Sequence, residues 1–478
     1  MKPVPYSFKM PEGLKPWQHQ LESFEKFKDA EAYAMLWTMG VGKTLEAINI
    51  LEYQMRRGRF TRVLILCPSS ISDAWKLELR RTLGETAINL CAHGSSKERI
   101  AVLEANDKAG FRWVIANYEG LDGIRGALES WLKGSYAVCA DESTWIKNAR
   151  AIRSRLAVYF GAMAKTRIIM TGTPMPQGPH DIYGQYLFLD PSVFGRSFVT
   201  FRNGWMRMGG YEGKQIIGLK HELKAAFNRK VYSLGDRWTK EECLDLPPKV
   251  YETRHYDLSK EQRRVYDQLS AEWVAEMKTC KTPIAVSNGM TRSLRLAQCC
   301  TGFIGNREAG ETAEHEVPDG DAKLKLLEEV LDECEGKAII WCAWQRNVRD
   351  VMTLAKRLGV KAVDYYGQTK DRVRSESQFR DDLDTRLFVG TAASGGAGLN
   401  LQGPDVKTVV YYSQRYSVFE RLQSEDRAHR GAIRHTVTVI DLVARKTVEE
   451  AIARSLREGR NLQESLLRDP AAFTRGEG

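Results

Sequence analysis

The 478-residue sequence contains no long hydrophobic run, and none approaches the roughly 20 apolar residues that a membrane-spanning helix needs. The first residues, Met1-Lys2-Pro3-Val4-Pro5, lack the apolar centre of a signal peptide. Nine cysteines are present, but no two have Cys-x-x-Cys spacing, so we interpret them as reduced core residues rather than zinc ligands or disulfides. We therefore expect a cytoplasmic protein that works without a membrane.

Low-complexity tracts and short repeats are also absent, whereas apolar residues make up 43% of the chain, which is ample for packed cores. The length predicts two to four domains. A formal charge of +10 and a pI near 9.0 favour a polyanionic partner such as nucleic acid, since each neutralised phosphate releases counterions. The same excess charge is compatible with solubility alone.

One short stretch, Met39-Gly40-Val41-Gly42-Lys43-Thr44, lies between the apolar run 32–37 and the helical pattern 45–51. A strand, a glycine turn and a helix are what a phosphate-binding loop requires: the glycines let backbone N–H groups face one anion, the lysine reaches the outer phosphates, and the threonine hydroxyl binds Mg²⁺. The full P-loop pattern has glycine where this chain has Trp37, so an ordinary turn before a helix remains an alternative.

Apolar strand-like runs alternate with helical patterns on both sides of a change in character near residues 227–249. In the first half the runs are 32–37, 63–67, 113–116, 136–140 and 167–170, and in the second half 338–342, 387–389, 409–412 and 437–440. This alternation predicts an α/β fold with two parallel sheets whose functional residues line the carboxyl edges of the strands. We predict an N-terminal lobe over 1–235, a hinge over 236–260, a helical or irregular connector over 261–321, a C-terminal lobe over 322–460 and a tail over 461–478.

Two acids, Asp141 and Glu142, directly follow one of these strands about a hundred residues after the glycine turn. That placement suits a carboxylate that holds the water shell of Mg²⁺, beside a base that polarises an attacking water. Two acids after a strand could also begin a helix, where carboxylates are favoured. Together with the glycine turn, the catalytic interpretation is the stronger one.

Three further polar residues, Gln423, Arg427 and Arg430, are spaced by four and three within a predicted helix over 418–429, so they share one face. Two guanidinium groups on one face suit the negative charge that builds on a transferring phosphoryl group. The alternative is a solvated face paired with Glu420 or Asp426.

Seven segments occur in the order of the motifs of superfamily-two helicases: 14–20, 39–44, 67–75, 141–148, 171–174, 395–401 and 423–430. The Ile146-Lys147-Asn148 tail, the Leu246-Pro247-Pro248-Lys249 segment and the run Asp426-Arg427-Ala428-His429-Arg430 most resemble Swi/Snf-type DNA translocases. The resemblance covers about residues 14–455. It implies two RecA-like lobes with an ATP cleft between them.

The resemblance also implies a role for individual residues. Gln18, whose amide has one donor and one acceptor for an adenine edge, would read the base. Lys43 and Thr44 would bind phosphates and Mg²⁺, Asp141 would share the metal, and Glu142 would serve hydrolysis; Arg427 and Arg430 would complete the site, with Gly398 and Gln423 also bordering the nucleotide. The residues that would contact the phosphate backbone of nucleic acid are Ser69, Ser70, Asn117, Thr391 and Ser394.

The sequence departs from the family pattern at several points. Ser143-Thr144 stands where many relatives have Ala-His, Gln177 where asparagine is common, and Gly431-Ala432-Ile433 where Ile-Gly-Gln is usual. No chromatin-reading or nuclease module is recognisable. We therefore expect a compact motor like bacterial or phage-type relatives.

The leading hypothesis is an ATP- and Mg²⁺-dependent motor that tracks along double-stranded DNA, with ATP closing the cleft and hydrolysis reopening it. A strand-separating DNA or RNA helicase is the alternative enzyme, and an ATP-gated nucleic-acid clamp is the alternative without translocation. We expect a monomer, possible contact with an unidentified protein partner, and a setting in a bacterial or phage-infected cell.

Overall fold

The computed structural model describes residues 6–84, 88–91, 93–110, 112–209, 215–244, 246–279, 292–308, 311–394, 399, 401–429, 433–458 and 470–476. The chain divides into two compact units, 1–245 and 246–478. Among the described residues, no helix is both long enough and apolar enough to cross a membrane.

The first unit is built on a seven-stranded sheet in which every neighbouring pair is parallel, in the order β3-β4-β2-β5-β6-β1-β9. The strands are β1 Ala32–Met35, β2 Arg62–Cys67, β3 Ile88–Cys91, β4 Trp113–Asn117, β5 Tyr136–Asp141, β6 Thr166–Met170 and β9 Gly235–Asp236. The central strands are continuous apolar runs because helices cover both faces of a parallel sheet. Leu64, Val138 and Ile169, for example, are fully buried.

Eleven described helices belong to this unit. They are α1 Gln18–Phe27, α2 Lys43–Arg56, α3 Ser72–Leu83, α4 Ser96–Ala109, α5 Leu121–Trp131, α6 Ile152–Met163, α7 Ile182–Leu189, α8 Pro191–Phe194, α9 Phe198–Trp205, α10 Lys224–Val231 and α11 Lys240–Cys243. Between α9 and α10 a separate antiparallel hairpin is formed by β7 Met206–Gly209 and β8 Gln215–Leu219. This hairpin is a two-stranded sheet of its own.

The second unit contains a six-stranded sheet, again parallel throughout, in the order β10-β17-β16-β13-β15-β14. Its strands are β10 Lys249–Tyr256, β13 Lys337–Cys342, β14 Ala362–Tyr365, β15 Leu387–Thr391, β16 Val406–Tyr411 and β17 Val437–Ala444. A second hairpin, β11 Phe303–Glu308 with β12 Glu311–Glu316, precedes the main alternation. The helices are α12 Lys260–Thr279, α13 over 292–299, α14 Ala322–Glu333, α15 Gln345–Arg357, α16 Arg372–Asp381, α17 Val418–Glu425, α18 Val448–Glu458 and α19 Pro470–Thr474.

Several predicted boundaries differ from the structure. The predicted hinge, 236–260, starts within β9 and contains the whole of β10, and the division between units lies inside it, at 245/246. β10 escaped recognition because it is an edge strand that pairs only with β17, so it lacks a continuous apolar run; its Val250 and Tyr251 are each 48% exposed.

The predicted connector and tail also pack into the second unit. Trp273 of α12 and Phe473 of α19 lie in one buried cluster together with residues of α18. The Tyr266 hydroxyl donates to the carbonyl of Thr474 at 2.7 Å. Helix α19, near the end of the chain, therefore packs in the same buried cluster as α12, which belongs to the predicted connector.

Candidate functional site

The glycine turn lies between β1 and α2, as the sequence predicts. Gly40 and Gly42 have φ of 80° and 84°, in the left-handed region that glycine enters without steric cost. At Gly42 a Cβ atom would lie 2.5 Å from Nε2 of Gln20, so any larger residue would require Gln20 to shift and would also be strained by the left-handed φ. Val41 is fully buried, which fixes the turn against the core.

The lysine of this turn points back into the loop. Its Nζ donates to the carbonyls of Trp37 and Thr38, at 2.9 Å each, and the side chain is buried. A buried ammonium held by the loop itself can be exchanged onto phosphate oxygens without a large movement. Thr44 is half-buried at the second position of α2, beside Lys43. The residues present thus fit a triphosphate with its divalent metal ion.

Asp141 ends β5, and β6 alone separates β5 from the strand that precedes the glycine turn. One carboxylate oxygen accepts the indole N–H of Trp75 at 2.7 Å, and the other accepts the backbone N–H of Glu142 at 2.8 Å. Burial raises the pKa of Asp141, while the hydrogen bond from Trp75 and the positive charge of Lys43 lower it. Lys43 and Asp141 therefore interact electrostatically, so the glycine turn and the Asp141-Glu142 pair belong to one site.

Glu142 adopts an unusual backbone conformation, with φ of 48° and ψ of 54°. A non-glycine residue in the left-handed region costs of order 1–3 kcal/mol, and such strain is concentrated at functional sites. The following turn is closed by the N–H of Trp145, which donates to the carbonyl of Glu142 at 2.9 Å. Ser143 and Thr144 thus lie in a tight turn, where the Ser143 hydroxyl donates to Gln185 at 2.7 Å.

The turn after β6 packs directly against the glycine loop. The N–H of Thr171 donates to the carbonyl of Met35, and a Cβ on Gly172 would lie 3.2 Å from the backbone nitrogen of Met39. A Cβ atom here would push the two loops apart by a few tenths of an ångström, so glycine favours their close approach. Gln177, the departure noted in the sequence, accepts from Nζ of Lys147 at 2.7 Å.

Sequence reasoning missed a carboxylate that hydrogen-bonds Trp37, the residue at the start of the glycine loop. Asp236, in β9, accepts from the indoles of Trp37 at 2.6 Å and Trp238 at 3.2 Å, from the Tyr33 hydroxyl at 2.8 Å and from the Ser23 hydroxyl at 2.5 Å. Trp37 is the residue that replaces the first glycine of the usual pattern. Its indole is thus a structural part of the loop, and no local pattern links it to an aspartate 199 residues away.

A second unforeseen acid lies within α2. Glu46 is fully buried, and neither of its carboxylate oxygens has a hydrogen-bond partner among the residues that the structure describes. Burial, together with the charge of Asp236, raises the pKa of Glu46 well above its usual range. Burial therefore favours the protonated form of this side chain, which lies in the helix that follows the phosphate loop.

Gln18, predicted to read adenine, is exposed at the start of α1, and its amide donates to Glu22 at 2.9 Å. The buried glutamine of this segment is Gln20, whose amide donates to the carbonyl of Gly42 at 3.2 Å. His19 also contacts the loop, through the carbonyl of Val41 at 2.9 Å. The segment therefore supports the glycine turn, and Gln18 is left at the surface beside it.

The residues predicted to contact nucleic acid lie at strand ends within each unit. Ser69 and Ser70 are exposed after β2, and Asn117 ends the neighbouring strand β4, where its side chain accepts from Arg99 at 3.0 Å. In the second unit the Thr391 hydroxyl donates to Ser394 at 2.8 Å, directly after β15. Each set is thus gathered at one carboxyl edge.

The predicted helix 418–429 is shorter in the structure. α17 ends at Glu425, and the chain continues in a tight turn in which Arg427 N–H bonds the carbonyl of Ser424 at 3.3 Å. Gln423 and Arg427 are both buried, and Arg427 donates to the carbonyl of Leu399 at 3.2 Å. Gly398 and Arg430 lie outside the described residues.

A network of buried charges supports α17. Arg421 donates to Glu425 at 2.7 Å and to Asp441 at 2.5 Å, with its guanidinium 3.6 Å from the centre of the Tyr411 ring. Lys249 donates to the same Glu425 at 2.7 Å. Since breaking a buried ion pair costs about 3–5 kcal/mol, this network holds the segment before Arg427 rigidly on the sheet.

Comparison with known proteins gives two domain matches. Residues 35–302, more than half of the chain, match the SNF2-related domain. The chain belongs to the SNF2-related family. Residues 322–432 match the helicase conserved C-terminal domain, which lies in the second unit. Membership of the SNF2-related family confirms the resemblance stated from the motifs, and the two parallel sheets confirm the predicted α/β fold with two RecA-like lobes.

Relatives in the SNF2-related family include much longer proteins. The chain is 26% identical over 436 residues to a chromodomain-helicase-DNA-binding protein 1-like of Danio rerio, covering 87% of this chain and 40% of that protein. It is 25% identical over 462 residues to the ATP-dependent helicase brm of Drosophila melanogaster, with coverages of 90% and 27%. The chain thus spans less than half the length of these relatives.

Among solved structures, the Sulfolobus solfataricus SWI2/SNF2 ATPase core in complex with dsDNA aligns with 98% of this chain and 96% of its own. The sequence identity is 19% and the TM-score is 0.43.

Proposed function

We propose that this chain is a DNA-dependent ATPase that hydrolyses ATP to translocate on double-stranded DNA. The observation that carries the proposal is the convergence of the glycine turn and the Asp141-Glu142 pair at one edge of the first sheet, in a member of the SNF2-related family. Similarity to a chromodomain-helicase-DNA-binding protein 1-like and to the ATP-dependent helicase brm supports the same activity.

At the phosphates, Lys43 would move from the carbonyls of Trp37 and Thr38 to the outer phosphate oxygens. The N–H groups at the start of α2 face the same anion. Thr44 and Asp141 would hold Mg²⁺, which neutralises phosphate charge when it is bound. Glu142 would take the proton of the attacking water, and its strained backbone fixes the direction of its side chain.

For the second lobe we propose that Arg427 and Arg430 stabilise the transferring phosphoryl group, with Gln423 and Gly398 bordering the nucleotide. The base would be read by Gln18. Ser69, Ser70 and Asn117 in the first unit and Thr391 and Ser394 in the second would grip phosphates of one strand, which gives binding without sequence preference. Alternating grips driven by turnover would move the duplex.

Translocation can be separated from the alternatives by three measurements on the full chain. ATPase activity is measured with duplex DNA, single-stranded DNA and RNA, beside triplex-strand displacement and fork unwinding. The proposal predicts the strongest stimulation by duplex, ATP-dependent triplex displacement and no fork unwinding. Fork unwinding would favour a strand-separating helicase, and stimulation without displacement would favour a clamp.

The arginine role has its own test. Arg430→Ala should lower turnover far more than ATP affinity, with a larger defect in the DNA-stimulated rate than in the basal rate, because closure promoted by DNA brings the guanidinium to the phosphate. Arg434→Ala, an exposed arginine four residues on, is the matched control. An equal fall in both rates, or a defect confined to ATP affinity, would contradict this role.

A further inference from the structure

The positive charge of the chain is concentrated in one part of the first unit. Residues 196–237 contain nine lysines and arginines against three acids, so they carry six of the ten net positive charges. One of those acids, Asp236, is already engaged by four hydrogen-bond donors beneath the glycine loop. Six of the nine cations are exposed to solvent: Arg196, Arg207, Lys224, Arg229, Lys230 and Arg237.

The β7–β8 hairpin organises this surface. It forms a groove of 520 Å³ lined by Arg207, Lys220 and His221. Met206 and Met208 also line it, and Glu222 is its one acidic side chain among the described residues. Arg207 is exposed, and its guanidinium lies 3.2 Å from Nε2 of His221. We name this feature the basic groove.

Three cations in and beside the basic groove lack a carboxylate partner in the part of the chain that the structure describes. Among the described residues, Arg207, Lys220 and Lys224 form no ion pair with an acid. Lys220 donates instead to the carbonyl of Asn203 at the end of α9, at 2.8 Å, and Lys224 is exposed at the start of α10. Unpaired cations on a fixed surface attract a polyanion by releasing its counterions.

The basic groove is held by the core of the first unit and lies beside a turn near the carboxyl edge of the sheet. Met206 is buried in the main core of the unit, and Met208, Ile216 and Leu219 pack against that core, so the hairpin cannot swing freely. β8 also packs on the turn 179–181, which follows the Thr171–Pro174 loop at the carboxyl edge of the sheet. Ser69 and Asn117 lie at that same edge.

From these observations we propose that the basic groove is a second binding surface for the sugar-phosphate backbone of duplex DNA, beside the strand-end residues of the first unit. The inference rests on the proposed function, since it assigns an additional contact to the same DNA. Its contacts are made to phosphate, so they add affinity and salt dependence without sequence preference.

The test uses the full chain with Arg207→Glu and Lys224→Glu combined. Lys224 is chosen over Lys220 because Lys220 also caps a helix end, whereas an acid at the start of α10 suits the helix dipole. The matched control combines Lys133→Glu with Lys165→Glu: both lysines are exposed, and they precede β5 and β6 at the opposite edge of the sheet. Both variants change the net charge equally.

Affinity for a 30-base-pair duplex is measured by fluorescence anisotropy across a range of KCl concentrations, together with ATPase activity. The groove variant should bind about tenfold more weakly or worse, with a salt slope reduced by about 2 for two lost phosphate contacts. Its basal ATPase and its rate at saturating DNA should be retained, while the DNA concentration for half-maximal stimulation rises. The control should stay within about twofold of wild type.

A groove variant that binds DNA as the control does would overturn the basic groove and leave the proposed function intact. A wild-type chain that neither binds the duplex nor is stimulated by it would overturn both. If the double glutamate variant does not fold, Arg207→Gln with Lys224→Gln removes two charges instead of four. That variant should weaken binding in the same direction and reduce the slope, and unchanged binding would reject the groove.

Discussion

In the first unit a parallel strand runs into a helix through a glycine turn, and in the second unit β13 runs into α15 through Ala343 and Trp344. The two connections differ in what their backbone atoms contact. Gly40 and Gly42 curve the first turn around a space for an anion. In the second, the N–H of Ala343 donates to the Ser413 hydroxyl at 2.8 Å and its carbonyl accepts from Arg415 at 3.0 Å.

The comparison shows that a strand, a turn and a helix do not by themselves make a nucleotide site. In the second unit, side chains from the end of β16 satisfy the polar atoms of the turn, and the Ser413 hydroxyl in turn donates to Asn347 at 2.7 Å. A phosphate would have to displace these bonds, each of which stabilises the fold by about 1 kcal/mol. The first turn has its lysine and the Asp141 site beside it instead.

The largest effect is expected for the first turn. Lys43→Ala removes the cation at the outer phosphates from a loop near the surface, so turnover should fall by about 10²-fold or more while the protein stays folded. Steady-state ATPase and a thermal melt check this. Lys133→Ala, at the opposite edge of the sheet, should keep the wild-type rate, and a folded Lys43→Ala protein with near-normal ATPase would remove the phosphate-loop assignment.

A substitution that opens the second turn should change the free energy of unfolding and leave nucleotide binding unchanged. Ser413→Ala deprives the buried Ala343 N–H of its acceptor, at a cost of about 1–3 kcal/mol. Urea unfolding measures the loss, and nucleotide titration should show no new binding. Ser377→Ala, a serine in α16 that is bonded only to its own helix, is the comparison substitution and should change stability by less than about 0.5 kcal/mol. ATP binding gained on opening this turn would show that the two turns are equivalent.

A smaller effect is expected when the hydrogen bond from the Trp75 indole to Asp141 is removed. Trp75→Phe keeps the packing but removes the N–H that stabilises the ionised carboxylate, so the pKa of Asp141 should rise further. The acid limb of the kcat/KM profile should then move to higher pH. Trp131→Phe, a buried tryptophan whose indole N–H has no partner, should leave the limb in place. An unmoved limb in Trp75→Phe would mean that Trp75 only packs.

The smallest effect concerns Glu46. Because its folded pKa lies above the ordinary value of 4.5, the unfolded chain releases this proton first and the wild type loses stability as pH rises above 4.5. Glu46→Gln keeps the shape without that titration, so it should match wild type in acid and become relatively more stable as pH increases. Glu52→Gln, which removes an ion pair with Arg56 in the same helix, should show no such gain. A constant difference across pH would contradict a raised pKa for Glu46.

Sequence reasoning recovered the parts of the molecule whose signals are local. Buried parallel strands are apolar runs, so β2, β5 and β13 were found almost to the residue, and the glycine turn and Asp141 were placed at strand ends. It missed β10 because an edge strand is half-exposed and rich in charge. It extended α17 to His429 because a tight turn and a helix share the same local spacing.

Contacts between distant residues could not be predicted in this way. Trp75 meets Asp141 across 66 residues, and Trp37 meets Asp236 across 199. Either indole N–H could have been buried without an acceptor, as the N–H groups of Trp113 and Trp131 are among the described residues. The pairing follows from the order of the strands in the sheet, which local patterns do not specify.

The central claim is that this chain has one nucleotide site, built on the glycine turn of the first unit. Calorimetric titration of wild type and Gly42→Val with a non-hydrolysable ATP analogue and Mg²⁺ tests it most directly, because a β-branched residue is strained at the φ of 84° that Gly42 adopts. The account predicts one bound nucleotide per wild-type chain and none for a folded Gly42→Val. Two nucleotides per chain, or undiminished binding by the variant, would contradict it.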